Sequence, residues 1–257
     1  MVVWIFWSDS TAVPRPVDLT MNLVLVQPNR PDFYFEVCNG VTLQDRESQA
    51  MIARLVGRPD PGPVTLVVDP ELIDRVYPPR QVLADEGEAD LEGQPNFHPV
   101  VVYAAAGVCG RIPDVHRPVF DAAFPEHSRL LGGRVVLLCA PRIRQVGLVH
   151  DVGTTELAGR LVWMHEAIHW YRGASSLSGQ AKAFEEAACQ TLLATLLRTH
   201  PDGYRLRILM DALAVRQPAA YGTYRALVDA PLTPASNRPV RSVFGANRSP
   251  ESIRKRK

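Results

Sequence analysis

Before residue 140 the apolar residues fall in short runs interrupted by proline, glycine and asparagine. From residue 154 they recur every three to four positions. The first pattern predicts strands and turns, and the second predicts helices. Residues 22–27 (NLVLVQ) and 33–38 (FYFEVC) read as strands. Asn39-Gly40 reads as a hairpin turn into 41–43, and 46–56 as a short helix. Val64–Val68 is a third strand, ending at Asp69-Pro70, which starts a helix of one or two turns over Glu71–Val76. Residues 78–98 hold prolines, glycines and five acids between Asp85 and Glu92, which predict an exposed loop. Strands at 99–105 and 134–139 flank a helix around 117–131. Helices are predicted at 154–172, 179–199, 204–216 and 219–230. Strands followed by a run of helices define an α+β class, with a strand-rich N-terminal half and a helical C-terminal half.

Composition narrows the possible functions. The 28 basic and 27 acidic side chains leave a net charge of +1, which argues against a nucleic-acid scaffold. The exception is Arg254-Lys255-Arg256-Lys257, a basic tail that can make at most a weak contact with an anionic partner. The four cysteines, Cys38, Cys109, Cys139 and Cys189, are widely spaced in apolar contexts, as expected of reduced thiols. The opening run VVWIFW is too short for an export signal or a bilayer span, so the expectation is a cytoplasmic protein with no membrane partner.

Candidate chemistry concentrates in Leu161–Ala174, LVWMHEAIHWYRGA. His165 and His169 are four residues apart, so a helix projects both imidazoles from one face, one turn apart. Glu166 lies beside the pair, where it can handle water without taking a coordination position. A zinc ion held by three protein ligands keeps an open position and activates water. A neighbouring carboxylate can take the proton from that water and return it to a leaving amine. A third ligand is required. The next acids are Glu185 and Glu186 in AKAFEEAACQTLLATLL, on a following helix that would fold back across the histidines.

At these residues the sequence resembles the gluzincin metallopeptidases, in which H-E-x-x-H on one helix is followed by a glutamate on the next. The downstream pattern is similar to the E-x-x-A arrangement of small gluzincins and ImmA/IrrE-type peptidases. The resemblance covers about residues 134–200. It implies a zinc metallopeptidase acting on protein or peptide substrates, with His165, His169 and Glu185 as ligands and Glu166 as general base. Glu185-x-x-Ala188 supplies the matching motif, and Glu186 is the less favoured ligand. The resemblance also implies a substrate-pairing edge strand at 133–143 (GRVVLLCAPRI) and a zincin-like domain over 99–232. That domain would lie between an N-terminal α/β region (1–98) and a disordered basic tail (233–257). Larger members place an acid four residues after the ligand glutamate, a position that Cys189 fills on this reading. Tyr171, His200, Tyr204, Tyr221 and Tyr224 are available as donors to a reaction intermediate, and the sequence does not rank them. The rival expectation is a non-catalytic regulatory or interaction protein in which the H-E-x-x-H segment only braces the fold.

Overall fold

The structure is a computed structural model, and it describes residues 23–42, 45–57, 62–83, 100–149, 154–173, 179–214 and 222–228. Most of the acidic loop, the basic tail and the N-terminal run lie outside the described residues. The protein combines helices with a small mixed sheet, an α+β arrangement. Four strands form the sheet: β1 (Val24–Val26), β2 (Val64–Val68), β5 (Gly107–Arg111) and β6 (Arg134–Cys139). Their spatial order is β1-β2-β6-β5, with the first three parallel and β5 antiparallel to β6. A separate antiparallel pair joins β3 (Arg80–Leu83) to β4 (Val100–Tyr103).

The sheet is covered on both faces, which explains why β2 and β6 are continuous apolar runs rather than alternating ones. Val135, Leu137 and Cys139 face a cluster with α3 (Pro70–Val76), α4 (Arg117–Ala123) and the 3-10 segment Pro125–Gly132. Val136 and Leu138 face a larger cluster built on α1 (Phe33–Thr42), α2 (Asp45–Val56), α5 (Ala140–Val149) and α6 (Thr155–Arg172). That cluster continues into α7 (Gly179–Leu197), α8 (Gly203–Ala214) and α9 (Tyr224–Val228). Strands from both sides of residue 98 thus share one sheet, so the expected division into a 1–98 region and a 99–232 domain does not describe this architecture.

Helix α6 is central. Thr154 caps its N-terminus by accepting a hydrogen bond from the Leu157 N–H at 3.1 Å. Gly173, at φ 72°, ends it in the left-handed conformation that glycine adopts without strain. The Trp163 indole N–H donates to Thr65 Oγ1 of β2 at 3.1 Å, fixing the helix against the sheet. Arg160 donates to the Gly40 carbonyl at 3.1 Å and pairs with Asp202, joining α1 and the start of α8 to the same helix.

Three expectations are corrected here. Residues 33–38 are helical, because Tyr34, Val37, Cys38 and Val41 are all buried at the i, i+3, i+4, i+7 spacing of a helix. Gly40 is no hairpin turn. It lies within α1 where α6 crosses, and a Cβ there would stand 2.1 Å from the Glu156 carbonyl oxygen. Finally, β6 is an interior strand between β2 and β5, and residues 140–149 form α5. The edge strands of the sheet are β1 and β5, and β5 is the one beside α6 and Glu166. Among the described residues no helix is long and apolar enough to cross a membrane.

Candidate metal centre

The spacing on α6 brings both imidazoles to α7. His165 Nε2 and His169 Nε2 are 3.1 Å apart, and Glu186 Oε2 lies 3.2 Å from the first and 3.3 Å from the second. Donors about 2.0–2.1 Å from a tetrahedral zinc ion stand about 3.3 Å from one another, so these separations match three edges of such a shell. The donors are neutral-capable imidazole and carboxylate, the ligand types that zinc accepts at an open site.

Glu185 is not at this point; it groups instead with His169 and Cys189 on the other side of the His169 ring. Its carboxylate is held bidentately by Arg172, at 2.7 and 2.8 Å, and its nearest imidazole atom is His169 Nδ1 at 3.6 Å. Register on α7 is the physical reason. Glu186 shares a stripe with Gln190, Leu193 and Leu197, all buried against the rest of the bundle, whereas Glu185 is turned by about 100° toward the last turn of α6, where Arg172 waits.

The side of each imidazole away from Glu186 is also partnered. His169 Nδ1 lies 3.2 Å from Cys189 Sγ, and that thiol lies 3.5 Å from Glu185 Oε1. Burial pushes the Cys189 thiol up to about 11, so it stays protonated and can accept from Nδ1–H while donating to Glu185. Gln190 Nε2 stands 3.4 Å from His165 Nδ1, and the buried Gln190 Oε1 has no partner among the described residues. When His165 Nε2 serves as a ligand, Nδ1 carries the proton. A half-turn of the Gln190 amide then gives Oε1 a donor and fixes the tautomer. Gln190 is four residues after Glu186, one helical turn further along the same face of α7.

The cluster sets two carboxylates against two imidazoles and Arg172. Burial alone would lower the His169 pKa, but hydrogen bonds with Cys189, Glu185 and Glu186 outweigh it and hold the ring above the usual imidazole range. Burial would likewise raise Glu185 and Glu186. Arg172 and His169 hold the first below the usual carboxylate range, and the two imidazoles do the same for the second. The carboxylates are thus kept ionised beside His169, and any metal ion at this point would have to displace the proton that the His169 ring holds.

Glu166 points toward the edge strand. It is buried, and burial raises its pKa against the pull of His165 and His169, with Glu186 adding to the rise. The Cys109 backbone N–H donates to its carboxylate. That N–H therefore points away from β6, and the alternation of an antiparallel ladder gives Gly107 and Arg111 the same outward-facing main chain. Gly107 is required by the close approach of α6. A Cβ there would lie 2.5 Å from Val162 Cγ1 and 2.8 Å from Glu166 Cγ. If Glu166 acts as a general base beside a zinc ion, Gly107→Ala is expected to displace it and lower kcat about 100-fold while zinc stoichiometry, measured by elemental analysis, is retained. Normal kcat would show that the carboxylate position is not critical.

Two features of this site have weak sequence signals. GVCGR of β5 carries two glycines and little β-propensity, and Gln190 is recognisable only once Glu186 is the reference point. The proposed intermediate donors are engaged elsewhere: the Tyr224 hydroxyl bonds Asp211, His200 lies between Ser48 Oγ at 3.2 Å and the Asp202 N–H at 3.0 Å, Tyr204 is exposed, and Tyr171 is in the core. Tyr221 lies outside the described residues. No family model, curated protein or solved structure matches this chain.

Proposed function

We propose that the protein is a zinc-dependent metallopeptidase of gluzincin type, with a zincin-like catalytic unit in which His165, His169 and Glu186 hold one zinc ion. The observation that carries this reading is the convergence of two Nε2 atoms and one carboxylate oxygen within 3.1–3.3 Å, with a second, buried carboxylate beside them. When bound, zinc supplies a Lewis acid that activates water and polarises a carbonyl. Glu166 takes the proton from the attacking water and delivers it to the amine as the peptide bond breaks. The Cys109 N–H orients the Glu166 carboxylate, while Gln190 and the Cys189–Glu185–Arg172 chain fix the two imidazoles. Peptide is the favoured substrate because β5 is an antiparallel edge strand beside Glu166, and an extended chain can pair with the outward main-chain groups that Glu166 does not take, those of Gly107 and Arg111.

Zinc addition and removal test the proposal directly. One equivalent of zinc is expected to bind, and at a hundredfold excess over Kd it should stabilise the fold by about 2.7 kcal/mol. For a chain of this length that corresponds to a Tm rise of about 5–10 °C, reversed by a chelator together with loss of peptide hydrolysis. Zinc binding with no cleavage of any unfolded protein or random peptide mixture would favour the non-catalytic reading. Absence of binding would remove the metal centre altogether.

A further inference from the structure

Residues 107, 109 and 111 alternate onto the α6 face of the sheet, where Gly107 meets Glu166 and Cys109 Sγ lies 3.3 Å from Arg134. Arg111 follows on that face, directly opposite Arg134 in the β5–β6 register. Like charges directly opposite one another across an antiparallel pair are unfavourable, so an anion beside Arg111 would relieve the repulsion. Arg134 finds acceptors within the fold: it donates to the carbonyls of His169 and Trp170, each at 3.3 Å, at the C-terminal end of α6. Arg111 is exposed, and among the described residues no hydrogen bond or ion pair compensates it. Both arginines line an open cavity of about 480 Å³ whose wall includes Trp170, and no acidic side chain is among its described lining residues.

We propose that Arg111 and this cavity form a carboxylate-binding subsite at one end of the peptide cleft. The inference rests on the reading of β5 as the strand that pairs with substrate. Arg111 lies four residue steps along the strand from Gly107, beside the proposed base, a span of about 13 Å. An extended peptide lying along β5 therefore presents a carboxylate to Arg111 two to four residues from the bond cleaved. The carboxylate can belong to an aspartate or glutamate side chain or to the chain terminus.

The test uses binding alone, so that it stands apart from catalysis. Full-length, zinc-loaded Glu166→Gln protein is immobilised and exposed to two random peptide libraries, one with free C-termini and one amidated. Retained peptides are sequenced by mass spectrometry. The expected result is about tenfold enrichment of Asp and Glu at one register position of the amidated library, or of free over amidated termini. The first outcome identifies a side chain as the carboxylate source, and the second identifies the terminus. In the same background Arg111→Glu should invert the side-chain preference to Lys and Arg, or abolish the terminus preference, responses that a purely structural arginine would not give. No acidic or terminal enrichment, no peptide retention, or a preference that survives Arg111→Glu would overturn the subsite. Failure of wild-type protein to cleave peptides that its Glu166→Gln form retains would instead overturn the catalytic reading and leave the subsite standing.

Discussion

Glu166→Gln is expected to eliminate hydrolysis while leaving one equivalent of zinc in place. Glutamine preserves the shape of the side chain and an oxygen that can accept from the Cys109 N–H, so the packing between α6 and β5 survives. What it lacks is a carboxylate able to take and return a proton. The surroundings of Glu166 suit it to that exchange, because burial raises its pKa above the ordinary carboxylate value while two imidazoles one turn apart restrain the rise. Loss of general acid–base catalysis costs about 10²–10⁴-fold, so kcat for a peptide substrate should fall by at least that range. The checks are steady-state kinetics beside elemental analysis of the same preparation. Undiminished kcat would exclude Glu166 as the base, and loss of zinc would show that it acts in coordination instead.

How much of the fold and site is legible in the sequence depends on whether local chemistry and tertiary burial agree. They agree at VTLVV and RVVLLC, whose apolar runs are strands at the expected bounds because both sheet faces are covered. They agree again at α6, where Thr154, Gly173 and the histidine spacing each mark a helix independently. They diverge at FYFEVCNG, where aromatic and β-branched residues suggest a strand but the spacing of Tyr34, Val37, Cys38 and Val41 is helical. Gly40, which beside Asn39 has the signature of a turn, is a contact point with α6, a role that only the helix crossing reveals. β5 is invisible for the opposite reason. Its glycines serve the approach of α6 rather than strand propensity, and the strand that carries the proposed cleft therefore has no sequence signature of one.

The two adjacent glutamates of α7 provide the second large effect, because neighbouring residues on a helix point about 100° apart and cannot both do the same work. Glu186→Gln is expected to lose high-affinity zinc and, with it, the zinc-dependent rise in Tm, since it removes one of three converging donors. Glu185→Gln removes a group that contacts Arg172, Cys189 and the far nitrogen of His169, so it weakens the orientation of a ligand rather than deleting one. Outer contacts of that kind command about 10–100-fold in metal affinity, and the Glu185 variant should fall within that range while the Glu186 variant falls beyond it. Competition against a chromophoric chelator measures both on one scale. If the order is reversed, the carboxylate that Arg172 holds must leave its partner to bind the metal, and the register of α7 described here would be shifted by one residue. If both variants bind zinc as tightly as the wild type, the two imidazoles find their third partner elsewhere, and the convergence on Glu186 is an ordinary buried hydrogen-bond cluster.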